Sequence, residues 1–324
     1  MSSTSKRNVL VVGATGKQGQ AVISALLSPP PPGSAPVHIL AMTRSIASAS
    51  AKAKALAEAH PDSVTLVEGD LLDPAAFFAS RPRGSIAAVF LYTAPGKQSE
   101  TEQAVPFVDA AARHGVRHVV FSSVDRGGEP ASWANPTGIK HFYEKHAVEL
   151  HLRDGLPAAE GEGEDGDGDG RTPTWTVLRP AAFLDNMNPG MFCALFTAMW
   201  STALAPDRKL QFVGTRDIGL FAARALAQPE RWAGRAVSLA GDEMTLAEAQ
   251  ATFRRVVGKE LPSTWGVLGR GLMWAVGEVG RMFAWFESEG YGADIEALRR
   301  EESSLQDFEA WLRESSGWKD EIKK

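Results

Sequence analysis

The chain's most constraining stretch is Val9-Leu10-Val11-Val12-Gly13-Ala14-Thr15-Gly16-Lys17-Gln18-Gly19, which joins an apolar run to a glycine-rich turn. Four consecutive apolar residues without alternation suit a strand of a parallel sheet covered on both faces. Ala21-Val22-Ile23-Ala25-Leu26-Leu27 then changes to helical spacing. The glycines divide the work: Gly13 permits the tight turn, Gly16 lets the backbone approach a pyrophosphate, and Gly19 lets the helix pack closely on the strand. The first amide groups of the new helix and the positive end of its dipole face the phosphates. A strand before the glycines and a helix after them give the pattern its specificity, and together they predict a dinucleotide site.

Downstream, strands and helices alternate. Val37–Met42 reads as the second strand, reached through the extended loop Pro29-Pro30-Pro31-Pro32-Gly33, and it ends at Thr43-Arg44-Ser45. At this tip an acidic residue prefers a free ribose 2′-hydroxyl and an arginine accommodates a 2′-phosphate. Arg44 with no acid beside it favours NADP over NAD, although a solvated surface arginine is the plain alternative. An alanine-rich helix over 46–59 leads to a third strand over 64–70, with a turn at its carboxyl end that carries Gly69-Asp70. The Asp70 carboxylate either accepts from the adenine amine or caps the helix opening near Asp73-Pro74. Strands follow at 86–92 and 116–123. Thr93, Ala94 and Ser122, at their carboxyl ends, are candidates to line the nicotinamide half.

Asn135-Pro136 reads as a cap and first-turn proline for a helix running to about Arg153, which carries His141 and Lys145. A sixth strand occupies 174–179. Short strands at 209–212 and 235–240 flank a helix at 216–226, and Thr245 with Glu248 forms a capping box for a helix closing near Gly258. From Leu261 onward, Leu268, Leu272, Ala275, Val279, Met282 and Phe286 keep helical spacing, with Trp265, Trp274 and Trp285 nearby. The tryptophans are read most simply as core, or else as the wall of an apolar substrate pocket. Residues 316–324 read as a solvated tail.

The expected fold is α/β, a doubly wound parallel sheet of Rossmann type with a smaller, mainly helical carboxyl-terminal region for substrate or partner. The dinucleotide domain is placed at 8–186, with a disordered acidic insertion at 158–171. The second region is placed at 187–315, with 209–240 returning to the Rossmann sheet.

Charge narrows the partners. The net charge is −5, and the run from Glu160 to Gly170 carries six negatives, leaving +1 for the rest. No basic patch or nucleic-acid reading motif stands out, so direct nucleic-acid binding is not expected. The acidic run lacks the EF-hand pattern and has nothing apolar to bury, so no metal site is expected. Residues 187–206 carry no charge, but Asn188-Pro189-Gly190 interrupts them and the remainder is short for a bilayer, which favours a buried or lid-like helix. The single cysteine, Cys193, excludes an intramolecular disulfide and reads as core. The polar stretch before the first strand cannot serve as a signal peptide, so cytosol or nucleus is expected.

Gly13-Ala-Thr-Gly-Lys-Gln-Gly19, Thr43-Arg44, Gly69-Asp70, His141-Phe142-Tyr143-Glu144-Lys145 and Leu178-Arg179-Pro180-Ala-Ala-Phe183-Leu-Asp-Asn186 together resemble the NmrA-like family, atypical members of the short-chain dehydrogenase/reductase superfamily. The resemblance spans roughly 8–315, and Gln18 between the second and third glycines is typical of that family. It implies NADP(H) binding through Gly13, Ala14, Thr15, Gly16, Lys17, Gln18 and Gly19, then Arg44, Asp70, Leu71, Thr93, Ala94, Pro95 and Lys145, and finally Pro180, Ala181, Ala182 and Phe183. Some family members are reductases, while others are cofactor sensors that bind transcription factors or other proteins.

Typical short-chain dehydrogenases place a tyrosine four residues before the lysine, so that both reach the reacting carbonyl. Here that position holds His141. Tyr143 lies two residues before Lys145, about 200° around the helix. The catalytic candidates are therefore Lys145, holding the ribose and assisting proton transfer, and His141 as a proton relay. The alternative is that Lys145 only anchors cofactor and His141 only packs. Two functions stand: an NADPH-dependent reductase of a small apolar carbonyl or enone compound, plausible in secondary metabolism, and a non-catalytic NADP(H) redox sensor acting on a protein partner.

Overall fold

The computed structural model describes residues 6–322 apart from 30–33, 48, 50 and 160–170. The expected proline loop and acidic insertion lie largely outside the described residues. In chain order the elements are β1 (Arg7–Val11), α1 (Lys17–Leu27), β2 (Val37–Thr43), α2 (Ala51–Ala59), β3 (Val64–Glu68), α3 (Pro74–Ala79), β4 (Ala88–Tyr92), α4 (Glu100–Arg113), β5 (His118–Ser122), α5 (Ala131–Ala134), α6 (Lys140–Asp154) and β6 (Thr174–Pro180). Then come β7 (Ala182–Phe183), α7 (Met191–Ala203), β8 (Leu210–Val213), α8 (Thr215–Ala227), α9 (Pro229–Trp232), β9 (Arg235–Leu239), β10 (Asp242–Met244), α10 (Leu246–Val257), α11 (Gly266–Ala275), α12 (Gly277–Ser288), α13 (Ile295–Glu301) and α14 (Phe308–Glu314).

Seven strands form one sheet in the order β3-β2-β1-β4-β5-β6-β9. The pairings among β1 to β6 are parallel. This is the expected Rossmann-type α/β sheet, and its order reverses between β1 and β4. At such a switch point the loops leaving two neighbouring strands diverge and open a crevice at their carboxyl ends. A second sheet, β10-β8-β7, has three strands. The two strands expected to return to the Rossmann sheet therefore part: β9 joins its edge, while β8 pairs with β7 and β10.

The chain groups into two compact units that interleave along the sequence. One comprises Met1–Ser123, Glu144–Leu178 and Ile218–Val237, and the other Val124–Tyr143, Arg179–Asp217 and Ser238–Lys324. In the first unit, α4 shows how sequence pattern becomes position. Ala104, Phe107, Val108 and Ala111, spaced three and four apart, are all fully buried in one cluster with Val89, Leu91, Val119 and Phe121. Truncating a ring such as Phe107 to alanine costs about 3–5 kcal/mol. Ser99 and Glu102 close a capping box at the start of α4, which fixes where its first residue, Glu100, stands.

In the second unit an aromatic cluster includes Phe196, Trp200, Phe212, Phe283 and Phe286. Cys193 is buried there as expected, and burial pushes its thiol up to about 11. Thr245 and Glu248 form the expected capping box, and Gly258 ends α10 in the left-handed conformation. Four expectations are corrected. Asn135 closes α5 instead of opening the next helix, which begins at Lys140; the Asn135 side chain accepts from the Thr137 amide. The single helix read after Leu261 is two, α11 and α12, broken at Val276, and the side chains of Leu268 and Leu272 lie outside the described ones. Trp285 is buried, but Trp265 and Trp274 are 82% and 88% exposed, so the reading of all three as core fails. The carboxyl-terminal segment is not merely a solvated tail: Trp318 packs edge-on against Phe253 and its Nε1 donates to the Met187 carbonyl at 2.7 Å.

Two buried groups contribute opposing slopes to the acid response. Burial drives His118 down to about 4, helped by the Arg7 charge, so its folded form stays neutral while the unfolded chain takes a proton near 6.5. Stability from this group is complete above about pH 6.5 and drains away as pH falls toward 4. Burial raises Asp217 to about 6, which gives the opposite slope over part of the same range. Comparing wild type with His118→Gln cancels the Asp217 contribution. The stability difference between the two should shift by roughly 3 kcal/mol in favour of the variant between pH 7 and pH 4. A pH-independent difference in urea denaturation would show that His118 is not held neutral.

Candidate functional site

At the switch point, the turn after β1 is built around missing side chains. Gly13 adopts φ +68°, in the left-handed region. A Cβ at Gly13 would stand 2.7 Å from Tyr92 Cε1, one at Gly16 would overlap the Tyr92 phenol oxygen, and one at Gly19 would stand 2.8 Å from the Gly13 carbonyl carbon. Gly16 N–H donates to Gly13 O at 2.9 Å, tightening the turn, and Gly16 is the N-cap of α1 without a side-chain cap. The first amides of an α-helix have no partner within the helix. Gln18 Oε1, in the first turn, is buried without a hydrogen-bond partner among the described residues.

A cavity of about 500 Å³ opens beside this turn, and its walls include Gly13, Thr15, Arg44, Asp70, Leu71 and Ala94. All six are sequence candidates, drawn from the ends of β1 to β4. Arg44 is exposed at the tip of β2. Across from that tip, Glu68 pairs in register with Thr43, but it turns its carboxylate to the Ile46 amide at 2.8 Å and does not line the cavity. Asp70 accepts from the Leu72 amide at 3.0 Å, and the cap of α3 is Asp73. Ala14 is buried, with its amide bonded to Met42 O. Lys17 and Pro95 are exposed and are not among the lining residues. The donor-rich helix start and a cationic group at the β2 tip fit a dinucleotide with a phosphorylated ribose.

A second cluster lies at the ends of β4 and β5 in the same unit. Lys145 Nζ meets Glu100 Oε2 at 2.6 Å and Thr93 Oγ1 at 3.0 Å, and Thr93 Oγ1 donates to the same carboxylate. Glu100 is fully buried, its amide donates to Glu144 Oε2, and its Oε1 has no hydrogen-bond partner among the described residues. Ser122 Oγ is likewise buried and unpartnered. Thus Thr93 and Lys145, predicted separately, come together around a carboxylate that the sequence reading missed. A glutamate just after a serine cap gives no signal of burial, because acidic residues are common in exposed first turns.

The other candidates fall in the second unit. His141 Nδ1 lies 2.6 Å from Glu278 Oε1, and the His141 backbone amide donates to the same oxygen at 3.0 Å. Burial would raise Glu278, but these two bonds hold it below the usual carboxylate range. The two contacts orient the His141 imidazole on Glu278. Pro180 ends β6 and its carbonyl accepts from the Asp125 amide; Ala181 N–H donates to Leu239 O; Ala182 and Phe183 form β7. These bonds belong to the backbone framework of that unit.

The NmrA-like family profile matches residues 5–312. The chain belongs to the NmrA-like family. A curated relative, the NmrA-like family domain-containing oxidoreductase FrzB of Cladobotryum sp., is 26% identical over 276 residues, covering 78% of this chain and 74% of FrzB. Among solved structures, the Citrobacter sp. triphenylmethane reductase complexed with NADP(H) superposes with TM-score 0.67 at 19% identity, covering 95% of this chain and 99% of that one. The negative transcriptional regulator NmrA in complex with NADP superposes with TM-score 0.64 at 20% identity, covering 98% and 97%. These likenesses fix the fold: one architecture carries both a reductase and a regulator. Among the described residues no helix is long and apolar enough to cross a membrane.

The Lys145–Glu100 pair makes a stability prediction. Glu100→Ala strands a buried ammonium and should cost about 3–5 kcal/mol in urea denaturation, most of which Lys145→Met should restore in the double variant. Losses that simply add would mean that the two groups are not coupled.

Proposed function

We propose that this NmrA-like chain is an NADP(H)-dependent oxidoreductase that reduces a small apolar carbonyl or enone compound. The observation that carries the reading is the cavity where Arg44 and Asp70 converge on the glycine turn, as a 2′-phosphorylated dinucleotide requires. When bound, NADPH supplies the hydride. The share left to the protein is to hold the cofactor, exclude water and manage one proton. Gly13 to Gly19 present backbone amides to the diphosphate, and Arg44 meets the ribose 2′-phosphate. Thr93 and Lys145 present a hydroxyl and an ammonium that Glu100 keeps in place. With no tyrosine four residues before Lys145, His141 takes the proton-donor role through Nε2, and Glu278 at Nδ1 balances the charge its imidazole carries when protonated.

A second reading, a redox sensor with a protein partner, is favoured by the exposed apolar side chains Met191, Phe192, Trp265 and Trp274. It requires the dinucleotide to change affinity for the partner; equal partner binding with NADPH, with NADP+ and with neither rules it out.

Deuteride transfer separates the two readings. NADPH deuterated on either face of C4, incubated with the protein and a panel of apolar ketones, enones and quinones, should yield a deuterated product by mass spectrometry, and Lys145→Ala should abolish it. Absence of label while NADPH binding is measured directly would contradict the reductase reading and favour the sensor.

A further inference from the structure

Tyr92 is the last residue of β4 and lines the cavity beside the glycine turn. Residues two apart on a strand share a face, and the Tyr92 ring lies 6.3 Å from that of Phe90. The ring extends over the turn itself. Its Cε1, Cζ and Oη are the three atoms a Cβ at Gly13 would meet, at 2.7, 2.9 and 2.8 Å, and its oxygen fills the place where a Gly16 side chain would begin. The hydroxyl is 3.4 Å from the Gly13 carbonyl, a long hydrogen bond, so packing against two bare Cα atoms holds the ring more than the hydroxyl does. Burial raises the phenol above its ordinary value, so it remains neutral at physiological pH.

The second glycine of such a turn is small so that backbone and diphosphate can approach each other. In this chain the space thus cleared is filled by a side chain of the protein's own. A ligand bearing a diphosphate and the phenol ring compete for the same surface, whereas a ligand that reaches only Arg44 and the adenine end does not meet the ring.

We propose that Tyr92 is a movable cover on the glycine turn, which the diphosphate of the dinucleotide must displace, and that it therefore sets the affinity for diphosphate-bearing ligands without affecting the adenosine 2′-phosphate end of the site. The proposal rests on the dinucleotide reading above. A protein whose competent state is only partly populated binds more weakly by that fraction, so a cover closed in about nine molecules of ten weakens diphosphate binding about tenfold.

The test is calorimetric titration of NADPH and of adenosine 2′-monophosphate, which lacks the diphosphate, into wild type, Tyr92→Ala and Tyr92→Phe. Tyr92→Ala should tighten NADPH binding about tenfold and leave adenosine 2′-monophosphate unchanged. Tyr92→Phe keeps the ring over Gly13 but withdraws the oxygen from the Gly16 position, so its NADPH affinity should fall between those of wild type and Tyr92→Ala, with adenosine 2′-monophosphate bound as in wild type. Unchanged or weakened NADPH binding by Tyr92→Ala, with adenosine 2′-monophosphate bound as in wild type, overturns the cover. Loss of both ligands by Tyr92→Ala alone signals a damaged fold, and the decision then passes to Tyr92→Val, which suits a strand end, under the same two criteria. Failure of wild type to bind either ligand overturns the dinucleotide reading and the cover with it.

Discussion

Between β1 and α1 there is no room for side chains, and the geometry of the cavity follows from that lack of room. Gly19 lets the first turn of α1 lie directly on the Gly13 carbonyl, and this close approach brings the start of the helix over the end of the strand. Any larger residue at 19 would lift the helix away and withdraw its amides from the crevice that the strand order opens between β1 and β4. Gly13 turns the chain with a backbone conformation that a side chain would strain. With the helix start fixed, Arg44 at the end of β2 and Asp70 just beyond β3 fall on the wall of the same cavity because parallel strands all end on one side.

The cluster around Lys145 answers a different physical demand. An ammonium this deep needs a counter-charge and hydrogen-bond acceptors, and Glu100 and Thr93 supply both. The α4 capping box and its apolar face hold Glu100 at that depth, so a packing pattern far along the helix fixes an electrostatic feature at its start. His141 meets Glu278 at Nδ1 and is partly open to solvent. The two residues that the sequence spacing put on one helical face therefore have distinct settings: one is an anchored charge, the other an oriented imidazole.

Local patterns made the Rossmann sheet, the glycine turn, the Arg44 tip and the α10 capping box legible in the sequence, because each depends on residues a few positions apart. Features created by distant pairing were not legible. Glu278 lies 137 residues from His141, and nothing near either announces the contact. The same holds for Asp125, whose buried carboxylate gathers the amides of Gly128 and Gly292 and the hydroxyls of Ser132 and Ser238. Tyr92 was read as the end of a strand, which it is; what it covers depends on the switch in strand order. Trp265 and Trp274 stand exposed: helical spacing identifies an apolar face but does not say whether another element covers it.

On the proposed function, the cavity beside Gly13 holds a dinucleotide whose 2′-phosphate is read by Arg44. The most direct measurement is the ratio of NADPH to NADH affinity, by calorimetry, in wild type and Arg44→Glu. Wild type should prefer NADPH by at least about tenfold, the equivalent of one charge-assisted contact, and Arg44→Glu should abolish or reverse that preference. A preference left intact by Arg44→Glu, or no binding of either dinucleotide to wild type, would contradict it.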